Sequence, residues 1–266
     1  MKEEKQKNIE RFTGFADIYN SARPSVPEYP VQIVCKYLER TPETVVDMGC
    51  GTGLSTVVWG SVSKNVIGVE PSGDMLAIAK LKETDNIKFV QAFSDDTPFT
   101  DDFVDAVICS QSFHWMEPTS TLKEVNRILK YGGVFATIDC DWPPVANWCA
   151  ECEYMQLYKK VKDIESNSPE INDTFVRYPK ENHLKNIADS GYFRYTRELV
   201  FANTESCKAE RFVNILLSQG NLQTILKKSP ELIEVDIDKF RHNIKSIFGD
   251  NTFNIEFSYR MRIGIK

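Results

Sequence analysis

Apolar and polar positions along this chain change period several times, and the changes mark its elements. Val31, Val34, Tyr37 and Leu38 recur at helical spacing after Pro30, predicting a helix that ends near Thr41-Pro42. Val45 to Met48 then reads as a buried strand, Leu54 to Trp59 as the start of a helix, and Asn65 to Glu70 as a second strand. That is one βαβ unit. The alternation continues with a helix at Gly73 to Lys82, a strand at Ile87 to Gln91 and a long buried run from Phe103 to Ser110. A helix at Thr119 to Leu129 and a strand at Gly133 to Asp139 follow, with Gly132-Gly133 expected as C-cap and turn between them.

Beyond Trp142-Pro143-Pro144 the pattern loosens into helical stretches near 146–165 and a helix at Lys180 to Ser190 stopped by Gly191. A strand is expected at Tyr195 to Phe201, more helix over roughly 205–247, and the alternating run Phe253 to Ile265 as the last strand. Strands that alternate with helices imply an α/β fold, a mostly parallel sheet covered on both faces. The two looser helical stretches are expected to cap it.

Composition sets outer limits. The chain has 266 residues, 42% hydrophobic and 26% charged, enough for one sizeable core. A net charge of -6 argues against a general nucleic-acid or anionic-membrane surface and favours a small-molecule partner. The N-terminal ten residues are charged throughout, and no segment approaches the roughly 18 apolar residues of a membrane span, so no signal peptide or span is expected. Seven scattered cysteines, an odd number, suit reduced thiols, and the expected location is the cytoplasm. Cys149 and Cys152 have CxxC spacing with Cys140 nearby, but three histidines and no second CxxC make a structural metal site the weaker reading. No metal is expected.

The chemistry concentrates at Val45-Val46-Asp47-Met48-Gly49-Cys50-Gly51-Thr52-Gly53, where a strand runs into an acid and three glycines at alternate positions. Glycine serves where backbone takes positive φ or approaches a ligand closely. A dinucleotide fingerprint spaces its glycines G-x-G-x-x-G for a pyrophosphate, whereas Asp47 so close to the loop suits an ammonium-bearing ligand. Glu70, at the end of the second strand, is placed to accept hydrogen bonds from both ribose hydroxyls. Together these point to S-adenosylmethionine. An NAD-dependent oxidoreductase and a catalytically silent S-adenosylmethionine binder are the alternatives.

The motifs VVDMGCGTG (45–53), GVEPSGDMLAIAK (68–80), SDDTPFTDDFVDAVICSQSFHW (94–115) and EVNRILKYGGVF (124–135), after the leader GFADIYNSARPSVP (14–27), carry a family resemblance. The chain resembles class I S-adenosylmethionine-dependent methyltransferases of the methyltransferase-11-like small-molecule group, which includes trans-aconitate methyltransferases. The resemblance implies a Rossmann-like sheet with an antiparallel last strand and a single domain over 1–266. Within it, 1–40 would be leader helices, 41–141 the cofactor-binding core, 142–180 and 204–250 cap insertions, and 181–203 with 251–266 the closing elements. It further implies that Gly49, Gly51 and Gly53 wrap the methionine moiety, that Asp47 supports the loop or the ammonium, and that Glu70 holds the ribose. Pro71 and Met75 would pack on adenine, with Phe93 and Ser94 at its edge. The family often has an acid at that edge, so Phe93 departs from the pattern and Asp95 or a backbone group would substitute. Tyr19 and Arg23 match leader positions that reach back to the cofactor, Arg23 offering a carboxylate its fork of donors.

Ser110, Gln111 and the run Ser112-Phe113-His114-Trp115 leave the C-terminal end of a strand, where ligands sit in open α/β sheets. This loop should border both cofactor and acceptor. His114 is the candidate base or substrate contact, against the reading that the His-Trp pair simply packs. Trp115, Trp142 and Trp148 are candidate walls of an apolar acceptor pocket, against ordinary core. Asp141-Trp142-Pro143-Pro144 resembles a base-methylating motif but follows the wrong strand for it, and Lys123, Arg127 and Lys130 read as a solvated helix face. The expected activity is methyl transfer to a small-molecule acceptor, a carboxylate among the candidates, with no nucleic-acid or membrane partner.

Overall fold

The computed structural model describes residues 16–172 and 176–266, and these fall into two compact units. One gathers residues 25–140, 177–201 and 259–266, the other residues up to Pro24, 141–176 and 202–258.

Seven strands form one sheet: β1 (Thr44–Met48), β2 (Asn65–Val69), β3 (Ile87–Val90), β4 (Val104–Ser110), β5 (Leu129–Cys140), β6 (Tyr195–Cys207) and β7 (Phe253–Ile265). Their order is β3-β2-β1-β4-β5-β7-β6. β1 to β5 pair in parallel, and β7 pairs antiparallel with β5. β1 is buried at every position and β4 at all but its last, as expected of central strands covered on both faces. Strand ends therefore converge on one edge, where the loops after β1, β2, β4 and β5 emerge.

Three expected boundaries move. The helix after β1 spans only Thr56–Trp59, because residues 50–55 are spent on the turn. Gly132-Gly133 is no helix C-cap: the helix Pro118–Ile128 ends with Leu129 already extended, and β5 begins at once. Gly132, at φ 77°, instead sits within the strand near a shift of register against β4, which accommodates the bulge. β6 runs on past Phe201 to Cys207 because Asn203, Thr204, Glu205 and Ser206 continue its period-2 alternation on a half-buried strand at the sheet edge.

In the other unit, the helices Trp148–Asn167 and Glu234–Phe248 pack together through stripes of matched period. Tyr154, Leu157 and Val161 are buried on the first, and Ile237, Phe240 and Ile244 on the second. The helix Ala209–Leu217 joins them, with Phe212 edge-on to Tyr154 at 6.0 Å.

Asp105, near the start of β4 and fully buried, anchors the edge of the sheet away from those loops. It accepts from the amides of Glu43 and Thr44 at 2.7 and 2.9 Å, from Arg40 at 2.8 Å and from Lys130 at 3.0 Å. Lys130 is thus part of an ion-pair network, as is Arg127, which holds Glu124 and Asp101. Burial pushes the Asp105 carboxyl up, but its cationic and amide donors outweigh that and hold it at about 2. A depressed pKa contributes stability that is present above the unfolded value near 4 and lost as pH falls toward 2. Asp105→Ala should lower the unfolding free energy by about 3 kcal/mol, the low end for a broken buried pair because Arg40 and Lys130 reach water. Urea denaturation at neutral pH measures it, and the deficit should shrink in acid.

Candidate functional site: the glycine loop and the mouth of the sheet

β1 delivers Asp47 and then the loop Gly49–Gly53, whose glycines take φ of 70°, 56° and 80°. All three lie in the left-handed region where a Cβ costs roughly 1–2 kcal/mol. Their surroundings differ. A Cβ at Gly49 would strike Met116 and Ser112 at 2.6 and 2.7 Å, and one at Gly53 the Phe89 ring at 2.8 Å. At Gly51 it would meet nothing within 4 Å. Gly49 and Gly53 are therefore glycine for packing, and Gly51 faces open space.

The loop amides are committed inside the protein. Gly49 and Cys50 both donate to Val69 O, at 2.8 and 3.0 Å, Gly51 donates to Glu70 Oε2 at 2.9 Å, and Gly53 to Cys50 O at 2.9 Å. A nest that binds phosphate needs such N–H groups free and converging on the ligand. Two buried carboxylates reinforce the point. Asp47 is fully buried, its Oδ2 accepting from Ser55 Oγ at 2.5 Å and Thr56 Oγ1 at 2.7 Å, while Oδ1 has no partner. Glu70 Oε1 accepts from Ser72 N at 2.8 Å. The loop is thus built to repel a pyrophosphate and to tolerate a cation.

Burial is the main reason both acids titrate high. The Asp47 carboxyl is pushed up to about 6, with Ser55 and Thr56 opposing, and Glu70 to about 7, with the Ser72 and Gly51 amides opposing and Asp47 adding to the rise.

Four more cofactor candidates, Pro71, Met75, Phe93 and Ser94, lie on the same unit. Pro71 is half-buried, its carbonyl receiving Gln91 Nε2 at 3.0 Å, and Met75 is buried. Phe93 is 36% exposed and bridges to Asp96, and Ser94 Oγ lies 2.9 Å from Thr121 Oγ1. Arg23 and Trp142 belong to the other unit, where the guanidinium sits 5.0 Å over the indole and donates to Ser218 O and Gln219 Oε1. Trp148, also in that unit, is 75% exposed. The Tyr19 side chain lies outside the described residues.

After β4 the chain turns at Ser110 into Gln111, whose φ of 55° is unusual for a residue with a Cβ. Ser112 Oγ donates to Met48 O at 2.7 Å and fixes this turn against the end of β1. His114 is only 5% exposed, and its Nδ1 has no hydrogen-bond partner. Burial first, then the Lys180 charge, holds its pKa well below the usual histidine value, so it is neutral at pH 7. Trp115 is half-buried beside it, with Arg177 5.7 Å over its ring.

A centre that sequence reasoning missed lies at the end of β5. Asp139, 2% exposed, accepts from Lys180 Nζ at 3.0 Å and Arg262 Nη1 at 2.8 Å, pairs with His183 Nδ1 at 3.0 Å and lies 3.8 Å from His114 Nδ1. Burial raises its carboxyl, but Lys180 and the two histidines overcome that and hold it well below the carboxylate range. An acid inside the apolar run VFATIDC was the available signal, since such a residue must find partners. Tyr178 N donates to His114 O at 2.8 Å, so the segment after the undescribed residues 173–175 is tied to the mouth loop at several points.

Residues 46–137 match a family model described as a methyltransferase domain. The chain is thus similar, over residues 46–137, to the methyltransferase domain that model describes. It is 38% identical over 125 residues to a probable S-adenosylmethionine-dependent methyltransferase of Saccharomyces cerevisiae, covering 44% of this chain and 43% of that protein. A Schizosaccharomyces pombe protein described as an uncharacterised methyltransferase-like protein is 24% identical across 93% of this chain and 91% of its own length. The chain spans about half the length of most of the curated relatives it matches. Among solved structures, a putative type II methyltransferase from Anaeromyxobacter dehalogenans superposes with TM-score 0.69 at 16% identity, covering 91% of this chain and 97% of that one, which supports the fold.

Among the described residues no group of three or more His, Cys, Asp or Glu is placed to hold a metal, and Cys149 and Cys152 are free thiols. Nor is any described helix long and apolar enough to cross a membrane. S-adenosylmethionine fits what is present: an open approach at Gly51, buried carboxylates, and amides at Gly49, Cys50, Gly51 and Gly53 that are used internally.

The raised pKa of Glu70 carries a sign. Between pH of about 4 and 7 the folded chain holds a proton that the unfolded chain has lost, so this group's contribution falls as pH rises through that window. Glu70→Gln should therefore gain on the wild type in melting temperature from pH 5 to pH 8. A constant difference across that range would contradict the raised pKa.

Proposed function

We propose that this protein transfers the methyl group of S-adenosylmethionine to an oxygen of a small-molecule acceptor, a carboxylate among the candidates. The observation that supports it most is the glycine loop, whose amides are consumed internally beside two buried acids while Gly51 stays open. The strand order supports the same reading, because β7 enters antiparallel between β5 and β6, unlike the 3-2-1-4-5-6 sheet of dinucleotide folds.

When bound, the cofactor supplies an electrophilic methyl group on a positively charged sulfur. Glu70 would receive the ribose hydroxyls on the lone pairs its two amide donors leave open, and Gly51 would let the ligand lie against bare backbone. Pro71, Phe93 and Ser94 would flank the adenine. Asp47 would serve the loop, clamping the first turn of the following helix through Ser55 and Thr56. Ser110 and Gln111 lie at the end of β4, where the acceptor meets the methyl. The chain's task is alignment and exclusion of water. A carboxylate acceptor would need no deprotonation at neutral pH, so no residue of the chain would have to act as a base for it. For a phenol or thiol, neutral His114 would take the proton.

A transfer assay with radiolabelled methyl against small carboxylic acids, phenols, thiols, lipids and amines tests this reading, which predicts labelled carboxylate esters and fails if only thiols or amines label. The glycines offer a second check. Gly51→Ala should fold with a loss of about 1–2 kcal/mol from its positive φ yet lose most of its cofactor affinity in calorimetry. Gly53→Ala should lose more stability, since Phe89 must move.

A further inference from the structure

Gln111 combines three properties. Its backbone sits at φ 55°, a conformation disfavoured for a side-chain-bearing residue and one that collects at functional sites. Its Oε1 accepts from Lys180 Nζ at 2.9 Å. Its Nε2 is buried without a partner. An ammonium can only donate, so Lys180 decides the orientation of the carboxamide, with oxygen toward the lysine and the NH2 group away from it.

Lys180 is in turn held. Its ammonium lies 3.0 Å from Asp139 Oδ1, and Asp139 is fixed by Arg262 and His183 on its other oxygen. Arg262 Nε donates to Glu198 Oε2 at 2.8 Å, so the chain of contacts ends on β6. The mouth loop is fixed as well, through Ser112 Oγ to Met48 O and Tyr178 N to His114 O. A donor pinned this way and left unsatisfied is destabilising unless a ligand completes it.

Building on the methyl-transfer reading, we propose that Gln111 reads the methyl acceptor by donating from Nε2 to one of its oxygens, and that Lys180, held by Asp139, is the positioning residue for that contact. Gln111 lies at the C-terminal end of a central strand, where an open α/β sheet presents its ligands. The arrangement selects acceptors carrying a carboxylate, phenolate or carbonyl oxygen and rejects apolar isosteres, which leave the donor unpaired.

The test uses the full ¹⁵N-labelled chain saturated with S-adenosylhomocysteine, titrated with formate, acetate and benzoate, and with toluene as the apolar control. The Gln111 carboxamide resonance is assigned by its absence in Gln111→Glu, which keeps an oxygen for Lys180 and removes the donor. Carboxylates should move that resonance and toluene should not. Gln111→Glu and Lys180→Met should each weaken carboxylate binding at least about tenfold more than they weaken S-adenosylhomocysteine binding, and Lys180→Arg should restore part of the loss. An unmoved resonance, equal carboxylate affinity in Gln111→Glu, or a matching loss of cofactor affinity overturns the proposal. Failure of the wild type to bind S-adenosylhomocysteine would strike the methyl-transfer reading instead.

Discussion

The site depends on a carboxylate that has almost no water. Glu70, at the end of β2, takes the amide of Gly51 on one oxygen and that of Ser72 on the other, while Val69 O takes the two amides before Gly51. One strand end thereby shapes the turn that leaves the neighbouring strand and the helix that follows its own. Asp47 closes the turn from the other side through Ser55 and Thr56. Both acids are costly to bury, and their raised pKa values measure that cost. What the cost secures is a loop with its donors turned inward and a bare glycine turned outward, which suits a cationic ligand and not a diphosphate.

Two further buried acids divide the labour of the sheet. Asp105, near the start of β4, holds the chain entering β1 and touches no site residue. Asp139, at the end of β5, stands on the loop edge and organises Lys180, His183 and Arg262 beside the mouth loop. In parallel strands, start and end are different faces of the molecule, so a buried charge stabilises at one end and positions functional groups at the other.

Much of this was legible in the sequence where the signal was local. The spacing Gly49-x-Gly51-x-Gly53, Asp47 before it and Glu70 after the next strand could be read because loop, strand and acid lie close along the chain. The closing strand was readable from strict alternation in Phe253–Ile265, whereas its antiparallel direction came only from the family resemblance. The Asp139 centre was not legible, because Asp139 itself, Gln111 with His114, Lys180 with His183, and Arg262 come from four distant segments and only the folded sheet gathers them. The burial of His114 was not legible either, because it comes from packing with residues distant in sequence, among them His183, whose ring is stacked 6.5 Å away. The Gly132-Gly133 pair looked like a helix stop because glycine marks both C-caps and bulges, and only the pairing with β4 separates the two.

The glycine loop is built to hold S-adenosylmethionine and not a dinucleotide. The most direct measurement is the melting temperature of the full chain with each ligand in turn. A rise with S-adenosylmethionine or S-adenosylhomocysteine and none with NAD is the result this account predicts. A rise with NAD alone would contradict it.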